Sequence, residues 1–273
     1  MLYSANLGFL YTDLALPQAI HAAKAAGFDA VECHFPYAFA PAEVAQALAE
    51  TSLPMLGLNT GPGDRAAGDF GLAALIGRED DAGRAIAQAL DYAVATGTRA
   101  VHVMAGRTDG GDAAEATFRA NLAHACDLAA AYGITILIEP INTRDVPGYH
   151  LSRPDHAVRI IEALARPNLK LMYDCYHMQI MQGDLATHLR DFLPLIGHIQ
   201  IAAVPDRGEP DQGEVAYPFL MDHLQGLGYS GYVGAEYKPR NGTAQGLGWL
   251  AEFRKLSCSA PIGNAVASTS RIR

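Results

Sequence analysis

A chain of 273 residues, half of them hydrophobic and only 18% charged, holds enough apolar material for one large folded domain and excludes a disordered or fibrous protein. Its formal net charge of −9, with no run of Lys and Arg, excludes a general nucleic-acid surface. Cys33, Cys126, Cys175 and Cys258 are scattered without a CxxC pair, which reads as small apolar thiols in a reducing compartment, not as a disulfide framework. The N-terminus lacks a basic segment ahead of a long apolar run, so neither a signal peptide nor a membrane span is expected and the protein reads as cytoplasmic.

Short apolar runs alternate with longer amphipathic stretches from one end of the chain to the other. Leu2–Leu7 is the first run, followed by a helix opened by Pro17 and closed by Gly27. Ala30–His34 precedes a helix over Pro41–Glu50, and Pro54–Asn59 leads through a glycine-rich loop to a helix over Asp80–Thr96. Ala100–Met104 is followed by an Ala-rich helix ending near Tyr132, then Ile134–Glu139 by a helix over Asp155–Ala165. Leu169–Asp174 pairs with a helix over Asp184–Phe192, Ile196–Gln200 with Pro218–Gly226, and Gly231–Glu236 with Ala244–Leu256. Eight such units predict a closed, single (β/α)8 barrel over residues 1–257. A doubly wound open sheet is the alternative, but no GxGxxG follows the first strand and no GxxxxGK[ST] occurs. Residues 258–273, small and polar without periodicity, read as a flexible tail.

The last four apolar runs each end in an oxygen-bearing side chain: Glu139, Asp174, Gln200 and Glu236. Acidic groups are rarely buried unless paired or bound to metal. In a barrel all C-terminal strand ends open on the face that carries the active site. Three carboxylates and one amide oxygen make a hard-donor set suited to Mg²⁺ or Mn²⁺ more than to zinc. For each residue taken alone, a helix N-cap or loop anchor is the competing reading. His198, two residues before Gln200, is expected on the same side one layer deeper, where it could support the amide. Arg207 could clamp a carboxylate or phosphate, although a lone loop arginine more often makes a surface ion pair. His34, His102 and Asn59 end or line other strands, each a weak signal by itself.

The ordered stretches Val31-Glu-Cys-His-Phe-Pro-Tyr37, Gly68-Asp-Phe-Gly-Leu-Ala-Ala74, Ile138-Glu-Pro-Ile-Asn142, Tyr173-Asp-Cys-Tyr-His-Met-Gln179, Gly197-His-Ile-Gln-Ile-Ala202, Arg207-Gly-Glu-Pro210 and Gly234-Ala-Glu-Tyr-Lys-Pro239 resemble the hydroxypyruvate isomerase family of xylose-isomerase-like barrels. The resemblance implies a divalent metal on Glu139, Asp174, Gln200 and Glu236, with Glu139 and Glu236 as the acid/base pair. It also implies that His177 and Arg207 hold a small-molecule substrate, with Asp145 as a further contact by likeness to ketose 3-epimerases. The loop Asn59-Thr-Gly-Pro-Gly-Asp-Arg65 departs from the family's Asn-Leu-Pro-Ala-Gly-Asp-Trp. The expected chemistry is aldose–ketose isomerisation of a small 2-oxo-3-hydroxy acid through an enediolate, with hydroxypyruvate as the leading case. A 2-oxo-tetronate isomerase or ketose 3-epimerase would use the same residues. A multinuclear zinc hydrolase or endonuclease would want more histidine ligands and a basic face, and a non-enzymatic sugar-binding barrel, which fold alone does not exclude, would bind metal and sugar without solvent exchange at the substrate carbon. The oligomeric state is left open, a homo-oligomer included.

Overall fold

A computed structural model describes residues 1–258, so all but the first residue of the expected tail lies outside the described residues. Eight parallel strands close into a barrel in sequence order: β1 (Leu2–Asn6), β2 (Ala30–Cys33), β3 (Met55–Asn59), β4 (Ala100–His102), β5 (Thr135–Ile138), β6 (Leu169–Asp174), β7 (Ile196–Ile201) and β8 (Tyr232–Ala235). The open-sheet alternative is thereby excluded, because β1 pairs with β8 in register from Leu2↔Tyr232 to Ala5↔Ala235. Among the described residues no helix is long and apolar enough to cross a membrane.

The helices follow from apolar periodicity and from their terminators. Between strands lie α1 (Leu16–Ala25), α2 (Pro41–Thr51), α3 (Glu79–Thr96), α4 (Asp112–Ala130), α5 (Pro154–Leu164), α6 (Cys175–Met181), α7 (Leu185–Phe192), α8 (Tyr217–Gly226) and α9 (Gly248–Cys258). Proline occupies the first turn of α1, α2, α5 and α8, where its missing N–H costs nothing. Gly97 closes α3 in the left-handed conformation. Two expectations need amendment. Helix α6 starts directly at the end of β6 in a stretch that reads as loop, and α9 begins at Gly248, with only a 3-10 turn over Ala244–Gly246. In α6 the driving force is local capping: Asp174 accepts a hydrogen bond from the Tyr176 N–H at 2.9 Å.

Strand alternation divides the barrel into two environments. Outward residues such as Tyr3, Val31, Ile136, Leu171, Ile199 and Val233 are fully buried against the helices and form the main core. Inward residues are smaller or polar, and only Ala100, Leu137 and Met172 form an apolar patch of their own. A cavity of about 170 Å³ remains inside the barrel, lined by Glu32, His102, His198 and Gln200 among others. The fold closes where Trp249 on α9, fully buried, packs edge-on to Tyr3 at 5.6 Å and Tyr237 at 6.1 Å and donates its Nε1–H to the Tyr237 hydroxyl at 3.2 Å.

Candidate active site and metal centre

All four oxygen-bearing strand ends gather at the C-terminal mouth of the barrel, and all four are buried. Asp174 is 0% exposed and is an N-cap as well as a site residue: its Oδ1 caps α6, whereas Oδ2 faces the mouth without a hydrogen-bond partner. Glu236 shows the same division of labour. His34 Nε2 lies 2.7 Å from Glu236 Oε1, and Oε2 faces the Arg207 guanidinium at 3.3 Å without a hydrogen bond. Gln200 donates its Nε2–H to Glu32 Oε2 at 3.5 Å, which turns the unpartnered Oε1 the other way. Each residue is thus anchored by one atom and presents a spare oxygen. Glu139 stands between two histidines, 3.6 Å from His177 Nε2 and 3.6 Å from His102 Nδ1.

Among the described residues, three buried carboxylates share only one guanidinium, Arg207, and Gln200 Oε1 has no hydrogen-bond partner; such under-satisfied buried oxygens are costly, and a divalent cation would relieve them. The donor set of carboxylate and amide oxygens fits a hard cation. Distance alone also groups His177 with Glu139 and Asp174, but its tautomer argues against ligation. His177 Nδ1 accepts the Asn142 backbone N–H at 3.2 Å, and burial together with the Arg207 charge holds the imidazole well below its ordinary pKa. A neutral ring accepting at Nδ1 carries its proton on Nε2, so it presents a donor rather than a lone pair.

Crowded charge splits the carboxylates. Burial, with the Glu236 and Asp174 charges behind it, pushes the Glu139 carboxyl well above the usual range. Burial and Glu236 raise Asp174 to about 8. Burial opposes ionisation of Glu236 too, but Arg207 and the His34 hydrogen bond outweigh it and hold that carboxyl below the usual range. Burial lowers His102 to about 3, so this ring is neutral and both of its nitrogens lack a hydrogen-bond partner.

Arg207 does not form the surface pair a loop arginine usually makes. Its guanidinium is sandwiched between the rings of Phe9 and Tyr176, 4.9 Å from each centroid, with Nη2 at 3.3 Å from Glu236 and 3.5 Å from Asp174. The residue holds this pose from a left-handed backbone conformation, φ 57°. Asp145 sits behind it: it accepts the Tyr176 hydroxyl at 2.7 Å and the Asn142 side-chain N–H at 3.2 Å, and it is not among the residues lining the cleft. It touches the residues that hold Arg207 and His177, so its geometry is that of a positioning group.

Above the cluster opens a cleft of about 520 Å³ lined by Glu139, His177, Arg207 and Glu236, by His34 and His102, and by apolar walls from Phe9, Phe35, Phe70 and Met104. The divergent loop contributes Asn59 and Arg65 to this lining. Two residues were not singled out by the sequence. Glu32, 4% exposed, accepts His198 Nε2 at 2.6 Å on the same oxygen that receives Gln200, so His198 supports the amide through a carboxylate and not directly. Phe9 follows Gly8 in the first loop and shapes both His34 and Arg207. A charged residue inside the apolar run Ala-Val-Glu-Cys was the available signal for Glu32; Phe9 had none.

Comparison with known proteins places the chain in a family. The family described as xylose isomerase-like TIM barrel matches residues 20–253. The chain is 49% identical to the 2-oxo-tetronate isomerase of Cupriavidus necator, covering 92% of this chain and 98% of that one. It is 38% identical to the hydroxypyruvate isomerase of Escherichia coli, covering 92% and 99%. A crystal structure titled as an AP endonuclease, family 2, from Brucella melitensis superposes with a TM-score of 0.89 at 42% identity, covering 92% and 99% of the two chains. A 3-keto-D-glucoside 4-epimerase structure from E. coli, at 23% identity and a TM-score of 0.79, shares the fold. The chain therefore belongs to the xylose isomerase-like TIM barrel family.

Proposed function

We propose that this protein is a divalent-metal-dependent isomerase that interchanges carbonyl and hydroxyl on adjacent carbons of a small 2-oxo-3-hydroxy acid, hydroxypyruvate to tartronate semialdehyde being the leading reaction. One observation carries the reading: Glu139 and Glu236, both buried, line one cleft with His177 and Arg207, and Asp174 lies against the same Arg207, which crowds three carboxylates around a single cation. Glu139, Asp174, Gln200 and Glu236 would hold the cation, Mg²⁺ or Mn²⁺ by donor type. When bound, such an ion supplies Lewis-acid stabilisation of the charge that develops on the substrate oxygens.

The chain's own residues account for the proton traffic. One of Glu139 and Glu236 takes a proton from the carbon bearing the hydroxyl, and the other returns one to the former carbonyl carbon through an enediolate; each role commonly contributes about 10²–10⁴-fold. His177 offers its Nε2–H to a substrate oxygen. Arg207, stacked and charge-paired, adds fixed positive potential beside the developing anion. Asp145 keeps Tyr176 and Asn142, and through them Arg207 and His177, in place. The names of the relatives support the reaction type.

A second reading, a four-carbon 2-oxo-tetronate as substrate, is favoured by the 49% identity to an isomerase of that name. Turnover of hydroxypyruvate, four-carbon oxo-acids and free ketoses separates these readings. Chelator is expected to abolish turnover of whichever acid is used, as are Glu139→Gln and Glu236→Gln, and product formed in D₂O should carry deuterium at carbon. Full activity without metal or in either variant would refute the mechanism, and label-free product would indicate a hydride shift.

A further inference from the structure

Outside the cleft, Glu115, His150 and His156 bring three ligand atoms within 4.8 Å of one another. Glu115 lies in the first turn of α4, His156 in the first turn of α5, and His150 in the loop between β5 and α5. His150 Nε2 is 3.1 Å and His156 Nε2 2.9 Å from the same carboxylate oxygen, Glu115 Oε2. None of the three lines the catalytic cleft.

We propose that these residues form a second metal site, of the two-histidine, one-carboxylate type, for a borderline cation such as Zn²⁺. Donors on a tetrahedral zinc at about 2.0–2.1 Å stand roughly 3.3–3.5 Å apart, so the two measured separations need little adjustment. The supporting contacts fit as well. Arg119 Nε donates to the other carboxylate oxygen at 2.7 Å, which fixes the carboxylate with Oε2 turned to the two imidazoles. Thr108 Oγ1 lies 3.4 Å from His150 Nδ1, the outer partner that orients a ligating ring. The His150 side chain is 4% exposed, against 25% for His156 and 22% for Glu115, so one side of the cluster opens to solvent for a water as fourth ligand. The amino-terminal ends of two helices disfavour a cation; Asp112 in the first turn of α4 offsets one of them, whereas Asp155 in α5 is paired with Arg153 and Arg159.

An ion here would pin the wall of the cleft. The loops after β4 and β5 already pair through Thr108 N–H to Gly148 O at 3.0 Å and His150 N–H to Gly106 O at 2.9 Å. Between those contacts Tyr149 packs edge-on to the cleft residue Phe70 at 6.0 Å. The site is structural, holding two loops and two helix starts in one register.

The test uses the full-length chain stripped by chelator, reloaded with excess Zn²⁺ and dialysed, with bound zinc then counted per chain by elemental analysis. Wild type is expected to retain one zinc equivalent more than His156→Ala or Glu115→Gln, and Co²⁺ added to wild type should give a d–d band that both variants lose. Equal zinc content in wild type and variants would overturn the site and leave a plain hydrogen-bonded clasp. Should the variants misfold, ¹⁵N-histidine spectra of wild type decide: stoichiometric zinc must shift the Nε2 signals of His150 and His156, and unmoved signals refute the proposal. Turnover is measured separately, so failure of this site leaves the isomerase reading untouched.

Discussion

Replacing Gly8 by alanine tests whether the His34–Glu236 contact matters to the reaction. Gly8 lies outside the left-handed region, so alanine carries no backbone penalty there. A Cβ at this position would nevertheless stand 2.2 Å from His34 Nδ1 and 2.5 Å from its Cγ. The ring must retreat by about 0.8 Å merely to reach the 3.0 Å at which real Cβ contacts begin. It cannot move toward Glu236, because His34 Nε2 is already 2.7 Å from Oε1, and Phe9 stands edge-on at 5.1 Å. Moving away stretches the hydrogen bond beyond its useful range. Hydrogen bonds to charged groups are worth about 1.5–3 kcal/mol, so kcat/KM is expected to fall roughly 10- to 100-fold with the global fold preserved. Steady-state kinetics on the preferred oxo-acid, alongside a crystal structure of the variant, checks this. Activity within about twofold of wild type, or a large loss with the His34–Glu236 contact intact, would refute the reasoning.

Three further outcomes are expected. Arg65 reaches the cleft from an exposed position, so Arg65→Ala should raise KM for an oxo-acid by about 3- to 10-fold with kcat little changed, as for a solvent-screened charge pair; an equal effect on an uncharged ketose would exclude carboxylate recognition. In the metal-free protein Asp174 titrates near 8 instead of its ordinary 3.8, so the fold holds a proton that the unfolded chain releases. This burden is absent below the unfolded pKa and grows until pH passes the folded one, so thermal stability of the metal-free protein should fall from pH 6 to 8 and saturating Mn²⁺ should flatten the slope; a metal-free Tm that rises over this range would contradict it. Trp249→Ala empties a fully buried site against Tyr3, Tyr237 and Phe253 and should cost about 3–5 kcal/mol, read as a lower denaturation midpoint at unchanged slope; a midpoint within error of wild type would show that α9 does not close the barrel.

The barrel itself was legible in the chain because its signal is repeated and local. Each apolar run is short, each intervening stretch has helical periodicity, and proline and glycine mark the ends. The four strand-end oxygens were legible for the same reason: an acidic or amide side chain closing an apolar run stands out, and the fold class brings strand ends together. Helix α6 was not legible, since seven residues are too few for a periodic pattern and its start rests on one cap from Asp174.

Sequence by itself therefore determined the eightfold rhythm and placed the oxygen-bearing side chains of Glu139, Asp174, Gln200 and Glu236 at four strand ends, because both depend on spacing along the chain. Only the tertiary structure decided how those donors are divided between anchor and spare oxygen, through Glu32 beneath Gln200, His34 against Glu236 and the α6 cap on Asp174. Likewise, it alone turned Arg207 inward between Phe9 and Tyr176 and set Asp145 against the Tyr176 hydroxyl. The physical reason is separation: Glu32 and Gln200 lie 168 positions apart and His34 and Glu236 lie 202 apart, so no local pattern can encode their meeting before the barrel closes.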